Sequence, residues 1–378
     1  MEDISMEKKI VVAGHISVDI TPVFQGSKKK SVSQVLCPGK LIRTGEAVVY
    51  TGGVVSNTGL ALHKMGANVR LAGKIGKDAL GEMMLAMMKQ HGTEKDLIID
   101  ENADTSYTVV IAPPGIDRIF LHGPGANDTF VADDLSDDLI DGAALVHFGY
   151  PPLMRKMYEN DGAELVKLCN KVHAKGAAMS LDLAAVDPES PEGLVDWREF
   201  LSNVLPHVDF FVPSIEELCF MLDRPRYDAW MERAGEEDVT EILDLEKDIR
   251  PLAAQAMELG VKVLMLKCGA RGMYYQTAGG DLIRKIPAAV ELKVENWTEK
   301  SGFQKSFIPE KVLSGTGAGD SSIGCFLYSM LKGYPVERCI QLAAAQGASC
   351  VEAVDTLSGL HTLPELEEKI AAGWKPAE

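Results

Sequence analysis

Four short and almost entirely apolar segments recur in the middle of the chain, separated by longer amphipathic stretches. The short segments are residues 145–148, 178–181, 209–212 and 261–266, and the long stretches include residues 154–174 and 240–259. Strands that are apolar on both faces are typical of a parallel sheet that helices cover on both sides through right-handed crossovers. The chain is therefore predicted to fold as an α/β protein with a doubly wound, mainly parallel sheet.

The same alternation starts near the N-terminus, and the chain ends in helices. It predicts strands over residues 10–13, 69–72 and 97–99, a polar turn over residues 15–19, and helices over residues 57–65, 79–90, 321–332, 335–353 and 364–372. Residues 273–275 and 282–286 predict an antiparallel hairpin at the sheet edge. Residues 287–312 mix charged and aromatic residues without periodicity and predict no regular element.

Two further segments are rich in turn residues and stand apart from this pattern. Residues 19–50, within which 31–50 look like hairpin strands, and residues 106–121, interrupted by Pro-Pro-Gly, predict a small β appendage. A β flap inserted beside a ligand cleft is a natural lid. At about 150 residues per domain, a length of 378 residues allows one large α/β domain with this appendage or two domains.

The charge balance and the N-terminus limit the partners and the compartment. There are 38 Lys and Arg residues against 55 Asp and Glu residues, a net charge of −17, so neither a nucleic acid nor an anionic membrane is expected as the main partner. Residues 1–9 are charged and lack the apolar core of a signal peptide, and no apolar run approaches the ~18 residues of a membrane span. We expect a cytoplasmic protein.

A glycine-rich stretch at residues 314–320, Ser-Gly-Thr-Gly-Ala-Gly-Asp, precedes an apolar run that is predicted to be helical. Such turns present free backbone N–H groups at the positive end of the helix dipole, where phosphate binds. Bound polyphosphate would repel the carboxylate of Asp320. A carboxylate at this position therefore indicates that it takes a proton from a hydroxyl group there. Phosphoryl transfer to an alcohol needs this pairing of anion hole and base, and we favour it over a turn that only allows close packing.

Two motifs near the N-terminus are ambiguous by themselves. Gly52 and Gly53 lead into a helix that carries Asn57. The glycines could let a ligand approach the backbone, with the Asn57 side chain hydrogen-bonded to a sugar hydroxyl. Alternatively, they form an ordinary turn in which Asn57 or Ser56 caps the helix. Asp19 follows the first strand and either accepts hydrogen bonds from a polyol or forms an Asx-turn. His15 is interpreted as a turn or packing residue.

Two later motifs are explained at least as well by structure as by function. Ser214 and Glu217 follow the strand at residues 209–212 and fit a capping box, or a carboxylate near hydrated magnesium. Residues 267–272, Lys-Cys-Gly-Ala-Arg-Gly, fit a hairpin connection or a phosphate and nucleotide contact, and considered alone they favour the hairpin. The chain lacks Gly-x-x-x-x-Gly-Lys-[Ser/Thr], and its first strand lacks Gly-x-Gly-x-x-Gly, which argues against a P-loop fold and a dinucleotide-binding dehydrogenase.

Taken together, the order and spacing of these motifs resemble the ribokinase-like (PfkB) family of carbohydrate and nucleoside kinases over nearly the whole chain. Residues 52–81, with Gly-Gly-x-x-x-Asn, Met-Gly-Ala and Gly-x-x-Gly-x-Asp-x-x-Gly, are similar to the N-terminal signature of the family. Gly-Ala-Gly-Asp at residues 317–320 is similar to the C-terminal signature, and Gly-Ala-Asn at residues 125–127 to a further family segment. The resemblance implies a single ribokinase-like kinase domain over residues 1–378.

The resemblance also implies the site residues and the ligands. The catalytic residues would be Asp320 as the general base and Gly317, Ala318 and Gly319 as the anion hole. The acceptor would bind to Asp19, Gly52, Gly53 and Asn57. ATP would bind to Lys267, Gly269, Gly272 and Ser214, and Glu217 would organise Mg²⁺ through water. A homodimer through the lid strands is a further expectation from the family.

The sequence departs from the family pattern at several of these positions. Ser314-Gly315 replaces the usual Asp-Thr, whose aspartate helps to ligate potassium in potassium-activated members, so weak or absent potassium activation is expected. Ser214 replaces an asparagine, whereas Glu217 is kept. Val54 replaces the lysine of ribokinases and several sugar-phosphate kinases, which disfavours a phosphorylated acceptor. Residues 180–183 lack the Asn and Arg of keto-deoxysugar acid kinases, which disfavours a sugar acid.

The main hypothesis is an ATP-dependent kinase that phosphorylates a hydroxyl of a sugar or related small alcohol. A nucleoside kinase remains open, because Tyr107, Phe120 and Phe148 could supply a stacking face for a base. A non-catalytic sugar or nucleoside sensor on the same fold is the alternative from another class. The departures at Ser314-Gly315 and Ser214 motivate the sensor, whereas Asp320 argues against it.

Overall fold

The structure of the protein is a computed structural model that describes residues 7–26, 35–36, 38–115 and 119–377. Its strands, in chain order, are β1 (Lys9–Gly14), β2 (Ser17–Pro22), β3 (Ala47–Gly52), β4 (Val69–Gly76), β5 (Ile98–Asp100), β6 (Tyr107–Ile111), β7 (Ile119–Gly123), β8 (Ala143–Gly149), β9 (Ala178–Asp182), β10 (Phe210–Phe211), β11 (Val263–Lys267), β12 (Gly272–Thr277) and β13 (Ser301–Lys305). Its α-helices are α1 (Val54–Lys64), α2 (Ala79–Lys89), α3 (Asp137–Ile140), α4 (Arg155–Ala174), α5 (Trp197–Val204), α6 (Ile215–Leu222), α7 (Arg224–Ala234), α8 (Val239–Ile242), α9 (Arg250–Glu258), α10 (Gly280–Ile283), α11 (Ala318–Leu331), α12 (Val336–Cys350) and α13 (Leu363–Ala371).

The strands form two sheets. The larger sheet has nine strands in the order β13-β12-β11-β10-β9-β8-β1-β4-β5, and the smaller has four in the order β3-β2-β6-β7. Neighbouring strands from β11 to β5 are parallel, whereas β12 and β13 run antiparallel at one edge. Chain order runs in opposite directions on the two sides of the β1–β8 pair. The predicted doubly wound, mainly parallel sheet is confirmed.

Hydrophobic cores on both faces explain why the central strands are almost entirely apolar. All seven residues of β8 are buried. Alternate residues of β1 belong to different cores: Val11 lies with side chains from α4, α5, α6 and α9, whereas Val12 lies with side chains from α1, α11, α12 and α13. No helix in the part of the chain that the structure describes has the length and apolar composition needed to span a bilayer.

The smaller sheet is the predicted β appendage. Two residues separate the end of β1 from the start of β2. β2 pairs antiparallel with β3 and parallel with β6, and β6 pairs antiparallel with β7. The sheet uses the two predicted segments, and β2, β3 and β7 each reach slightly beyond them. Residues 27–34, 37 and 116–118, which fall within the predicted segments, lie outside the described residues.

Several predictions of individual elements were wrong. Residues 15–19 do not form only a turn, because β2 begins at Ser17, where Val18 and Ile20 supply β-branched side chains. Of the hairpin expected over residues 31–50, the described part contains only β3, which pairs with β2 instead. The strand expected at residues 282–286 is the short helix α10, and β13, a polar strand without a clear pattern, takes the edge position.

Two predicted helices are interrupted. The helix expected over residues 154–174 is α4, whose backbone is non-helical from residue 159 to residue 162, with positive φ values at Asn160, Asp161 and Gly162. Asn, Asp and Gly tolerate this left-handed conformation better than other residues do. The helix expected over residues 240–259 is divided into α8 and α9.

The segment at residues 287–312, for which no regular element was predicted, contributes to the core. Trp297 is only 1% exposed. Its ring packs edge-to-face against Phe210 and Phe326, with ring centroids 6.3 Å and 6.1 Å away. The segment therefore covers one face of the sheet with a large aromatic side chain. It also contains the edge strand β13, a regular element that the sequence did not predict.

Replacing Trp297 should destabilise the fold strongly. Trp297→Ala should lower the free energy of unfolding by roughly 3–5 kcal/mol, because it leaves a cavity between two aromatic rings. Urea denaturation followed by circular dichroism measures this difference. Val312→Ala, at a position 71% exposed in the same segment, is the matched control and should have little effect. Equal midpoints for the two variants would contradict the packing role.

Candidate active site

The carboxyl ends of β1 and β8 mark the place where a ligand is expected in this fold. In open α/β sheets, ligands bind beyond the carboxyl ends of the strands, where the strand order reverses. Here β1 is followed by His15, and β8 by Tyr150. The N-termini of α1 and α11 meet at the same point, because side chains from the first turns of both helices are hydrogen-bonded to each other.

The carboxylate of Asp320 is the centre of this site. Asp320 is the third residue of α11 and is 6% exposed. Its Oδ1 accepts a hydrogen bond from Thr58 Oγ1 at 3.0 Å, and its Oδ2 accepts one from Asn57 Nδ2 at 3.2 Å. The hydroxyl of Tyr150 lies 2.8 Å from Oδ1 and 2.9 Å from Oδ2. Three donors, two on α1 and one directly after β8, therefore hold this carboxylate in one orientation.

The environment of Asp320 makes it more basic than an ordinary aspartate. Burial raises the pKa of its carboxyl, and this effect outweighs the nearby Lys267 ammonium and the hydrogen bonds from Tyr150, Thr58 and Asn57. A raised pKa improves a carboxylate as a proton acceptor. The site thus combines a fixed orientation with increased basicity.

The backbone before Asp320 forms the beginning of α11. Gly317 is the N-cap residue and has a φ of 77°, a conformation that favours glycine. The helix continues for 14 residues, and its Ser321 N–H donates to the Gly317 carbonyl at 2.9 Å. The N–H groups of a first helical turn point outward and carry the positive end of the helix dipole. Gly317, Ala318 and Gly319 therefore lie at the N-terminus of α11, where the Ala318 N–H donates to the Gly315 carbonyl at 3.4 Å.

The predicted acceptor-binding residues surround a second part of the site. Asp19 lies on β2 and its Oδ1 accepts a hydrogen bond from Ser17 Oγ at 2.8 Å. Gly52 lies so close that any Cβ there would collide with the Asp19 carboxylate. Burial raises the pKa of Asp19. Gly53, with a φ of 85°, is the N-cap of α1, so β3 and α1 are separated by this residue alone.

A cavity of about 580 Å³ extends from these residues. Side chains from the smaller sheet, from α1 and α2, and from the segments at residues 313–316 and 354–357 line it. Asn57 both lines the cavity and donates to Asp320. Among the described lining residues the carboxylates are Asp19 and Asp355, and there is neither Lys nor Arg. Such a cavity suits a neutral molecule with hydroxyl groups.

Two histidines lie between the smaller sheet and Tyr150. His15 is 3% exposed, and neither of its ring nitrogens has a hydrogen-bond partner among the described residues. Burial and the neighbouring His122 lower the pKa of His15 to about 3, so its ring is neutral. The His15 ring centroid lies 5.3 Å from that of His122 on β7 and 5.9 Å from that of Tyr150.

A buried ion pair forms the other side of the site. Lys267, the last residue of β11, donates to Asp182 Oδ1 at 2.8 Å, and both side chains are largely buried. Burial, together with Glu217 and Asp320, raises the pKa of Asp182, and the Lys267 ammonium opposes this by stabilising the carboxylate. Burial alone would lower the pKa of Lys267, but the surrounding carboxylates raise it, so the ammonium stays charged. The Lys267 side chain also runs beside Gly319.

The other predicted ATP and metal residues have structural roles. Ser214 Oγ accepts a hydrogen bond from the Glu217 N–H at 3.2 Å, and Glu217 Oε2 accepts one from the Ser214 N–H at 2.7 Å. This is the capping box that the sequence allowed as an alternative. Gly269 lies in the turn between the antiparallel strands β11 and β12, and Gly272 is the first residue of β12. This turn is the predicted hairpin connection. Ser214 pairs with Lys267 in an isolated β-bridge, so both motifs adjoin the ion pair.

The structure thus brings Asp320, Asn57 and Lys267 together, and Asn57 lines the same cavity as Asp19. Sequence reasoning missed the roles of Tyr150, Thr58 and Asp182. Tyr150 and Asp182 are polar residues at the carboxyl ends of neighbouring buried strands, and that position was the signal for both. Phe148, which was considered as a stacking face, is fully buried and packs against Phe130 in the core.

The architecture is that of ribokinase-like kinases. A structure of Arabidopsis thaliana ribokinase complexed with ribose and ATP has a TM-score of 0.68 at 20% identity and covers 96% of this chain and 98% of that one. Methanocaldococcus jannaschii nucleoside kinase has a TM-score of 0.65 at 20% identity, covering 97% and 98%. A structure from E. coli in complex with ATP and Mg²⁺ has a TM-score of 0.67 at 18% identity, covering 97% and 99%. At these identities the likeness establishes the fold.

The chain belongs to the pfkB family of carbohydrate kinases, whose pattern matches residues 7–363. An uncharacterized sugar kinase from Archaeoglobus fulgidus is 23% identical over 301 residues, which are 80% of this chain and 98% of the relative. A ribokinase from Arabidopsis thaliana is 24% identical over 348 residues, 91% of this chain and 76% of the relative. The predicted family is confirmed, and the protein is a kinase.

Breaking the Lys267–Asp182 pair should destabilise the protein. Lys267→Met should lower the free energy of unfolding by roughly 3–5 kcal/mol, because it leaves a buried carboxyl without its cation. Lys77→Met is the matched control: Lys77 pairs with Glu101 at the surface, with side chains 68% and 69% exposed, and should change stability by less than about 1 kcal/mol. Urea denaturation compares the two, and similar losses would show that the pair is not effectively buried.

Proposed function

We propose that this kinase transfers the γ-phosphoryl group of ATP to a hydroxyl of a neutral sugar or related small alcohol. The observation that carries the proposal is the Asp320 carboxylate, which is buried at the N-terminus of α11 and joined to the cavity by Asn57. A base that lies within one helical turn of backbone N–H donors is what transfer to an alcohol requires.

In the proposed reaction, Asp320 accepts the proton of the acceptor hydroxyl. The hydroxyl oxygen forms a bond to the γ-phosphorus, and the bond between this phosphorus and the bridging oxygen of ADP breaks. The N–H groups of Gly317, Ala318 and Gly319 stabilise the charge on the transferred group. The chain as a whole would work as one kinase domain, in which the smaller sheet closes over the cavity as a lid and excludes water.

The acceptor is proposed to bind in the cavity, held by Asp19, Asn57 and the backbone at Gly52 and Gly53. The absence of Lys and Arg among the described lining residues supports a neutral acceptor over a phosphorylated or acidic one. Val54, at the position where ribokinases and several sugar-phosphate kinases carry lysine, is fully buried in the core. The ribose of the Arabidopsis ribokinase structure and the sugar kinase from Archaeoglobus make sugars the first candidates.

ATP is proposed to bind on the other side of Asp320, where Lys267 adjoins Gly319. Gly269, Gly272 and Ser214 would contribute the surrounding backbone. The described residues contain no group of three or more His, Cys, Asp or Glu side chains that could hold a metal by themselves. This fits Mg²⁺, which takes phosphate oxygens and water among its ligands, with Glu217 holding it through water. Bound there, Mg²⁺ would neutralise charge on the phosphates.

A nucleoside is the second candidate acceptor. Tyr50 and Phe120 line the cavity and offer aromatic faces for a base. The likeness to the nucleoside kinase from Methanocaldococcus jannaschii is compatible with this choice. ADP formation measured against a panel of sugars, polyols and nucleosides separates the candidates. Acceptor binding without any ADP formation would favour a non-catalytic sensor and overturn the proposal.

A homodimer through the lid strands is also proposed. Tyr107 and Leu121 of the smaller sheet are among its exposed large hydrophobic side chains, and neither lines the cavity. Apolar side chains on an exposed sheet are suited to pairing with a second copy. Analytical ultracentrifugation of the protein tests this, and a strict monomer at micromolar concentration would contradict it.

Removing the base should affect catalysis and leave binding nearly unchanged. Asp320→Asn should lower kcat by ~10²–10⁴-fold, with little change in acceptor KM. The base works in its deprotonated form, and burial raises its pKa. As the pH is lowered, kcat of the unmodified enzyme should therefore begin to fall at a pH higher than about 3.9, the pKa of an ordinary aspartate. Steady-state kinetics over a pH series measures both. The exposed Asp281→Asn serves as control, and a loss confined to KM would contradict the assigned role.

Potassium should not activate the enzyme appreciably. Ser314-Gly315 stands where potassium-activated relatives carry Asp-Thr, so a carboxylate ligand is missing from the chain at this position. The rate of ADP formation should be nearly the same in potassium and choline salts at equal ionic strength. Strong and saturable stimulation by potassium would show that other groups complete a cation site.

A further inference from the structure

Tyr150 has an unusual backbone conformation that directs its side chain to the base. It follows the last residue of β8 and has φ 67° and ψ 40°, the left-handed region. A bulky residue rarely adopts this conformation, and the following Pro151 restricts it further. Strain of this kind persists where surrounding contacts hold it and is frequent at functional sites. Gly149, on the other side, packs tightly against Val54.

The hydroxyl of Tyr150 occupies the space between the two carboxylate oxygens of Asp320. It lies 2.8 Å from Oδ1 and 2.9 Å from Oδ2, so its single hydrogen is shared between them. Thr58 and Asn57 each donate to one of the same oxygens. A carboxylate offers about four acceptor positions. With these three donors in place, the Tyr150 hydroxyl occupies the acceptor position between the two oxygens of Asp320.

The hydroxyl of the phosphoryl acceptor must come within hydrogen-bond distance of an Asp320 carboxylate oxygen. A general base must lie within about 2.6–3.2 Å of the group whose proton it takes. The Tyr150 hydroxyl already lies at this distance from both oxygens. It is an alcohol-like group that keeps its own proton, because burial, Asp320 and Asp182 raise its pKa far above the ordinary value.

We propose that the Tyr150 hydroxyl is a place-holder for the acceptor hydroxyl on Asp320, which prevents water from using the base when no acceptor is bound. The acceptor hydroxyl replaces it during the reaction. The inference rests on the proposed function, because it takes Asp320 as the base. It adds a residue that determines specificity for an alcohol over water.

The reaction that Tyr150 would suppress is hydrolysis of ATP. In that reaction the oxygen of water forms a bond to the γ-phosphorus, and the bond from this phosphorus to the bridging oxygen of ADP breaks. Asp320 takes a proton from the water, and the products are ADP and inorganic phosphate. Water is small enough to enter wherever the phenol hydroxyl is removed.

The test measures phosphate release from MgATP in buffer without any acceptor. Tyr150→Phe should release phosphate about ten-fold faster or more than the unmodified enzyme, since it removes a hydrogen bond to a charged group that competes with water. Rates are expressed per ATP-binding site, counted by calorimetric titration with a non-hydrolysable ATP analogue, so that a partly inactive preparation does not mimic the effect. Tyr150→Phe combined with Asp320→Asn should lose the increase.

Two further variants separate the place-holder from a residue that only orients Asp320. Thr58→Val removes a hydrogen bond from the same carboxylate without opening the space between its oxygens, and it should not accelerate hydrolysis. Tyr150→Gly is a second way to remove the hydroxyl. Glycine suits the left-handed backbone at this position, so this variant provides the same test if Tyr150→Phe does not fold, and it should also accelerate hydrolysis.

The outcomes for the inference and for the proposed function differ. If neither Tyr150 variant hydrolyses ATP faster than the unmodified enzyme, or if Thr58→Val accelerates hydrolysis equally, the place-holder role is wrong while the kinase mechanism stands. If Asp320→Asn transfers phosphoryl groups as fast as the unmodified enzyme, the proposed function is wrong and this inference falls with it.

Discussion

The burial of the Asp320 carboxylate is the constraint on which the arrangement of the site depends. A buried carboxylate is tolerated only when its oxygens accept hydrogen bonds. Here the donors come from the first turn of α1 and from the end of β8, while Asp320 itself belongs to α11. Satisfying one side chain therefore fixes the relative positions of two helices and a central strand, and the cavity and the ion pair take their places around it.

The contacts of this carboxylate extend to the smaller sheet. The ring of His122 on β7 lies against that of His15, and His15 lies against Tyr150, whose hydroxyl reaches Asp320. The imidazole of His15 is neutral and buried, and neither nitrogen has a partner among the described residues. A continuous row of aromatic rings thus connects the sheet proposed as the lid with the residue proposed as the base.

Much of the fold could be predicted because the physical signals were local. Strands such as β8 are buried throughout, and glycine followed by a mainly apolar stretch indicates the start of α1 or α11. Tyr150 and Asp182 were missed because their importance depends on which strands are neighbours, and local patterns do not contain strand order. Trp297 was missed for a similar reason: it lies in an irregular segment, and only the packed structure reveals what its ring covers.

The short connection at Gly53 has a consequence for recombination between relatives. β3 of the smaller sheet ends at Gly52 and α1 begins at Val54, so the strand that approaches Asp19 continues almost directly into the helix that carries Asn57 and Thr58. The appendage is therefore not an exchangeable module. A chimera that imports the smaller sheet of another kinase to change the acceptor would also shift α1, whose side chains hydrogen-bond to Asp320. The junction of such a chimera should therefore lie after α1 and not before it.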